Sequence, residues 1–65
     1  MNSYTISSKS TGADLGTFSG ETEIDAYAAM CRDAGYDVTV VNGELFGSEE
    51  TLRLCDVSAV EIASA

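Results

Sequence analysis

A small α+β domain, with an antiparallel sheet in ββαββ order and one helix packed on one face, is the fold the sequence predicts. Three observations carry that expectation. Short segments that alternate large apolar with small polar residues lie on both sides of a single well-capped amphipathic stretch. An Asn42-Gly43 pair, in which both residues tolerate positive φ, marks a tight hairpin. The chain has 65 residues, enough for one hydrophobic core and no more, so residues 1–65 form one domain.

The elements follow in order. Tyr4 to Ser8 alternates with Tyr4 and Ile6 on one face and reads as a first strand. Ser10 to Asp14 has turn chemistry, and Leu15 to Ser19 returns as a second strand, with Gly16 breaking the alternation where a bulge would sit. A helix is expected over residues 22–34. Thr22 suits the N-cap, Asp25 takes the capping-box position three residues on, and Glu21, Glu23 and Asp25 suit the positive helix end. Ile24, Tyr27, Ala28 and Cys31 form its buried stripe, Glu23, Asp25, Ala29 and Asp33 its outer face, and Gly35 its stop. Asp37 to Val41 is β-branched and strand-like, and Glu44 to Phe46 begins the return strand. Beyond it, Ser48-Glu49-Glu50 fits the cap of a short helix through Leu54, while the Leu52/Leu54 alternation fits strand. The alternation is preferred, and residues 51–62 are expected as strand.

The composition is 45% hydrophobic with a mean hydropathy of +0.05, too apolar for a disordered chain despite a net charge of −8. The acids are unevenly placed. Lys9 and Asp14 cancel within residues 1–20, so ten acids against Arg32 and Arg53 in residues 21–65 supply the whole net charge. A pI near 4.1 argues against direct nucleic-acid binding and against adsorption to anionic lipid, and favours attraction to basic surfaces. No charged leader, long apolar stretch or cleavage site precedes the fold, so neither secretion nor a membrane span is expected.

Catalytic motifs are missing. The chain has no His and therefore no Ser-His or Cys-His pair. Gly12, Gly16 and Gly20 lack the Lys and spacing of a phosphate loop. Glu21-Thr22-Glu23-Ile24-Asp25 lacks the Gly-turned ligand series of a calcium loop and reads as a solvated helix start. No enzymatic activity, cofactor or metal is expected. Cys31 and Cys55 read as two buried reduced thiols, with a disulfide as the alternative. Arg32 and Arg53 are expected in surface pairs with Asp25, Asp33 or Asp56. Tyr36 and Phe46 fall at element ends, either as core rim or as interface anchors.

Carboxylates one helical turn apart are about 5.4 Å apart, and alternate strand residues about 6.6 Å. A small acidic domain can thus array charges like the phosphates of a nucleic-acid strand. The candidate partner-binding set is Glu21, Glu23, Asp25 and Asp33 on the helix, Asp37, Glu44, Glu49 and Glu50 on the following loops, and Tyr36 and Phe46 beside them.

The run from Thr11 to Glu23, with Ala26, Ala29-Met30 and Arg32 to Tyr36, resembles a recurrent small domain of phage and bacterial genomes. The likeness covers residues 4–36; it departs at Ile24-Asp25-Ala26, where the pattern has Glu-Ala, and ends at Asp37. The resemblance implies a fold rather than an activity. In size and charge the chain is also similar to anti-CRISPR proteins, several of which mimic DNA against basic channels. That likeness implies a phage- or mobile-element-encoded inhibitor, monomer or homodimer, acting in the cytoplasm of a bacterial host. It would bind a basic nucleic-acid-handling complex, a CRISPR effector first, and block DNA entry. The competing expectation is a non-enzymatic interaction or structural module whose acids serve solubility alone.

Overall fold

The computed structural model describes all 65 residues. Strand β1 (Asn2–Ser8) and strand β2 (Asp14–Gly20) form the expected antiparallel hairpin, in register from Asn2↔Gly20 to Ile6↔Gly16. The expected bulge is present. The register jumps between Ile6 and Ser7, leaving Leu15 as the extra residue, and Gly16 adopts φ +121° while its N–H donates to Asp14 Oδ1 at 2.9 Å.

Helix α1 (Glu23–Asp33) is built at both ends as its sequence predicts. Thr22 Oγ1 accepts from the Asp25 N–H at 3.4 Å, and Asp25 Oδ2 accepts from the Thr22 N–H at 3.2 Å, which completes the capping box. Gly35, at φ +98°, donates to the Arg32 carbonyl, and Tyr36 donates to the Cys31 carbonyl, a full Schellman closure. Ala26, Tyr27, Ala28 and Cys31 are buried and Ile24 is half-buried. Asp25 and Ala29, expected on the outer face, are half-buried instead. The helix start lies close against the end of β2: a Cβ on Gly20 would stand 2.6 Å from the Ala26 nitrogen and 2.8 Å from the Asp25 Cβ. Only glycine permits that approach.

Strand β3 (Val38–Val41) and strand β4 (Glu44–Gly47) pair around Asn42 (φ 52°) and Gly43 (φ 78°), both left-handed as a type I′ turn requires. Between Thr51 and Ala59 the structure departs from the expected strand, which forms only from Val60. Residues Glu49–Leu54 form a second helix, α2, followed by a 3₁₀ turn over Val57–Ala59 and strand β5 (Val60–Ser64). The local cap decides against strand here. Ser48 Oγ accepts from the Thr51 N–H at 3.2 Å, and Glu49 and Glu50 occupy the favourable first turn. The alternating Leu52 and Leu54 have no sheet to face and are 37% and 61% exposed.

The architecture is therefore α+β with antiparallel sheets, but with two helices and an element order longer than ββαββ. The strands divide into a three-stranded sheet ordered β2-β1-β5 and the separate β3-β4 hairpin. β5 returns from the end of the chain to pair with β1, setting Ile62 opposite Ile6. Helix α1 packs chiefly on β2 and β3 and so joins the two sheets. Ile6, Tyr27, Ala28, Cys31, Val38 and Cys55 form the core, rimmed by Phe18, Ile24, Met30, Val40, Leu45, Val60 and Ile62. Both thiols are buried and unpaired. No helix is long and apolar enough to cross a membrane.

Candidate acidic interaction surface

Local turn and cap chemistry sets where the carboxylates stand. Glu21 and Glu23 are exposed at the start of α1, just beyond the tight Gly20 contact. Asp25 is committed to the helix. Its Oδ2 accepts from both the Thr22 N–H and, at 3.0 Å, the Thr22 hydroxyl, so it acts as a cap more than as a free charge. Asp33 ends α1, ten residues after Glu23, which separates the two groups by about 15 Å along the helix.

A second acidic group forms at the open end of the β3-β4 hairpin. The Asp37 carbonyl lies 3.2 Å from where a Cβ on Gly47 would project, so Asp37 adjoins the segment leading into Glu49 and Glu50. Glu44 stands apart at the turn end, about 10 Å along the strand from Gly47. The fold thus brings Asp37 towards Glu49 and Glu50, keeps Asp33 four residues away at the end of α1, and holds Glu21 and Glu23 at the opposite helix end.

The cations do not neutralise this surface through hydrogen bonds. Arg32 Nε donates to the Val38 carbonyl at 3.1 Å, and no carboxylate hydrogen-bonds Lys9, Arg32 or Arg53, so the expected pairs with Asp25, Asp33 and Asp56 do not form as such bonds. Tyr36 is 37% exposed and Phe46 48% exposed. Phe46 pairs with Thr39 on the hairpin's outer face, since the adjacent Val40–Leu45 pair turns towards the core. Val41, two residues from Thr39, shares that outer face and is also exposed.

No protein-family model, curated protein or solved structure matches this chain.

The surface is accordingly read from its own chemistry. It carries no cavity, and no three His, Cys, Asp or Glu side chains converge on one point. One acid outside the expected set is shaped by the fold. Asp56 Oδ1 accepts from the Ser58 hydroxyl at 2.6 Å and the Ser58 N–H at 3.0 Å, capping the 3₁₀ turn. Those two bonds, the hydroxyl first, hold its carboxyl below the usual carboxylate range, and the Lys9 charge adds to them. The Asp-x-Ser spacing of residues 56–58 is the sequence signal for it. The exposed Leu52, Leu54 and Val57 were not anticipated either, because strand and helix readings of residues 51–62 place these side chains differently.

Proposed function

We propose that this chain is a non-enzymatic inhibitor that occupies a basic, nucleic-acid-binding surface of a host complex. A CRISPR effector is the first candidate, with the chain borne by a phage or other mobile element. The observation that carries the reading is the exposure of its charge. Every carboxylate except Asp25 is exposed, and none is hydrogen-bonded to a basic side chain. The body measures 28 × 27 × 18 Å and bears a net charge of −8. One strand of DNA carries a charge every 3.4 Å, or about 8 over the same 28 Å. In net charge, though not in the placement of single groups, the domain equals one strand over its own length.

Competition against purified CRISPR-type effector complexes tests the reading. Binding should exclude DNA and weaken steeply as salt rises, since exposed charges are screened over about 10 Å at 0.1 M. The double variant Glu49→Lys/Glu50→Lys should lose inhibition while its global melt stays near the parent's. The control is Asp14→Lys/Glu61→Lys, which should retain inhibition. Equal loss from both variants would reduce the effect to net charge, and no loss from either would end the DNA-mimic reading. A second reading, an interaction module whose acids serve solubility, is favoured by the exposed Val41 and Phe46 on the hairpin's outer face. In that case Phe46→Ala, not the charge reversals, abolishes partner binding.

A further inference from the structure

Cys31 lies in the last turns of α1 and Cys55 directly follows α2, yet both reach the same core, at 3% and 5% exposure. Cys55 has a singular position. Beyond Val38 it is the only buried residue, so a thiol is the one buried side chain in the stretch from Ser48 to Ala59, whose far end is also held by the Lys9 N–H donating to the Ala59 carbonyl at 3.0 Å. Helix α2 buries no residue of its own. A segment held by so little apolar contact opens locally at low free-energy cost. Opening there carries Cys55 to solvent, and reclosing returns it to Cys31. Both thiols adjoin Tyr27, and the Cys55 thiol beside Cys31 opposes ionisation of Cys31.

We propose that Cys31 and Cys55 form a dithiol that small disulfides of the glutathione type close to an intramolecular disulfide, locking the segment 48–59 onto α1. The chemistry proceeds in two exchanges. In the open form the Cys55 thiolate attacks a sulfur of the small disulfide, forming a mixed disulfide and expelling one small thiolate. While the segment is still lifted and Cys31 uncovered, the Cys31 thiolate attacks the Cys55 sulfur and expels the second small thiolate, and the segment recloses over the new bridge. The protein loses two protons and two electrons, and the small disulfide gains both as two thiols. In the closed form both sulfurs are shielded from solvent and burial holds Cys31 as a thiol, so the rate of oxidation follows the opening of the segment.

The test uses the unmodified chain. After incubation with oxidised glutathione, intact mass should show the loss of two hydrogens without a retained adduct, and the product should run as a monomer. The melting temperature should rise by on the order of 10 °C, as expected for a bridge closing a loop of this length in a small domain, and should return on reduction. Cys31→Ser and Cys55→Ser should each stop short of that product. Cys31→Ser should retain one glutathione at Cys55. A stable glutathione adduct on the unmodified chain, a disulfide-linked dimer, unreacted thiols, or a disulfide form that melts lower would each overturn the proposal. Since the unmodified chain supplies these readouts, a variant that fails to fold leaves the outcome decisive.

Discussion

Tyr27 and Cys31 put two weakly acidic groups into one small core beside Cys55, and the burial that makes the two useful there also makes them costly to ionise. Burial first, and then the neighbouring Cys55 thiol, pushes the Cys31 thiol up to about 12. Burial likewise raises the Tyr27 phenol well above its ordinary value, with Cys31 and Cys55 adding to it. The sign for stability follows from linkage. Both groups stay protonated in the folded chain at a pH where the unfolded chain has released its protons. Their contribution is complete below the unfolded thiol's pKa of 9.0 and is lost as pH rises from there towards about 12. Melting temperature should therefore fall steadily between about pH 8.5 and 11, and Cys31→Ala should flatten part of that slope. A melt that does not change over this range would show that the thiol is not buried as described. Gly20 is the other residue whose meaning is physical contact. Its lack of a side chain lets the capped start of α1 rest on β2, a requirement invisible in a Gly-Glu-Thr run that reads equally well as a plain turn.

At the scale of elements, α1 and α2 share their cap chemistry but not their anchorage. Thr22 and Ser48 each accept from the backbone N–H three residues on, and each cap is worth about 1 kcal/mol. Helix α1 buries four residues, while α2 buries none. Thr22→Ala should thus lower the global melt by several degrees, since about 1 kcal/mol moves a domain this small by about 4–8 °C. Ser48→Ala should barely move it, while speeding hydrogen exchange of the Leu52 and Cys55 amides, which bond to the Ser48 and Thr51 carbonyls. Equal melting shifts from both substitutions would mean that α2 unfolds only with the rest of the molecule.

At the scale of the whole molecule, charge and fold pull in opposite directions. Placing exposed carboxylates over a body with a 10.9 Å radius of gyration costs self-repulsion, which three cations relieve only in part. Salt should consequently raise the melting temperature from low ionic strength to about 0.5 M. The same salt should weaken binding to a basic partner. Opposite responses of stability and binding to one variable would separate an electrostatic binder from a protein whose acids act only in solution. Stability independent of salt would show that the charges are too dispersed to interact.

Where a signal is local, the sequence by itself determined the structure. The Thr22-Asp25 capping box, the Gly35 helix stop, the Gly16 bulge and the Asn42-Gly43 turn each depend on residues within a few positions of one another, and each formed as expected. The exposure of the acids was equally readable, because a charged side chain of this kind is rarely buried without a partner. The choice between helix and strand over residues 49–59 needed the tertiary structure. Leu52 and Leu54 alternate as in a strand, but a strand needs a partner edge, and β5 takes the free edge of β1 through the Ile6–Ile62 pairing. With that edge filled, the Ser48 cap draws residues 49–54 into a helix. The approach of Asp37 to the segment carrying Glu49 and Glu50 and the convergence of Cys31 with Cys55 are likewise long-range facts. Both depend on which elements meet across the core, and no spacing along the chain encodes that.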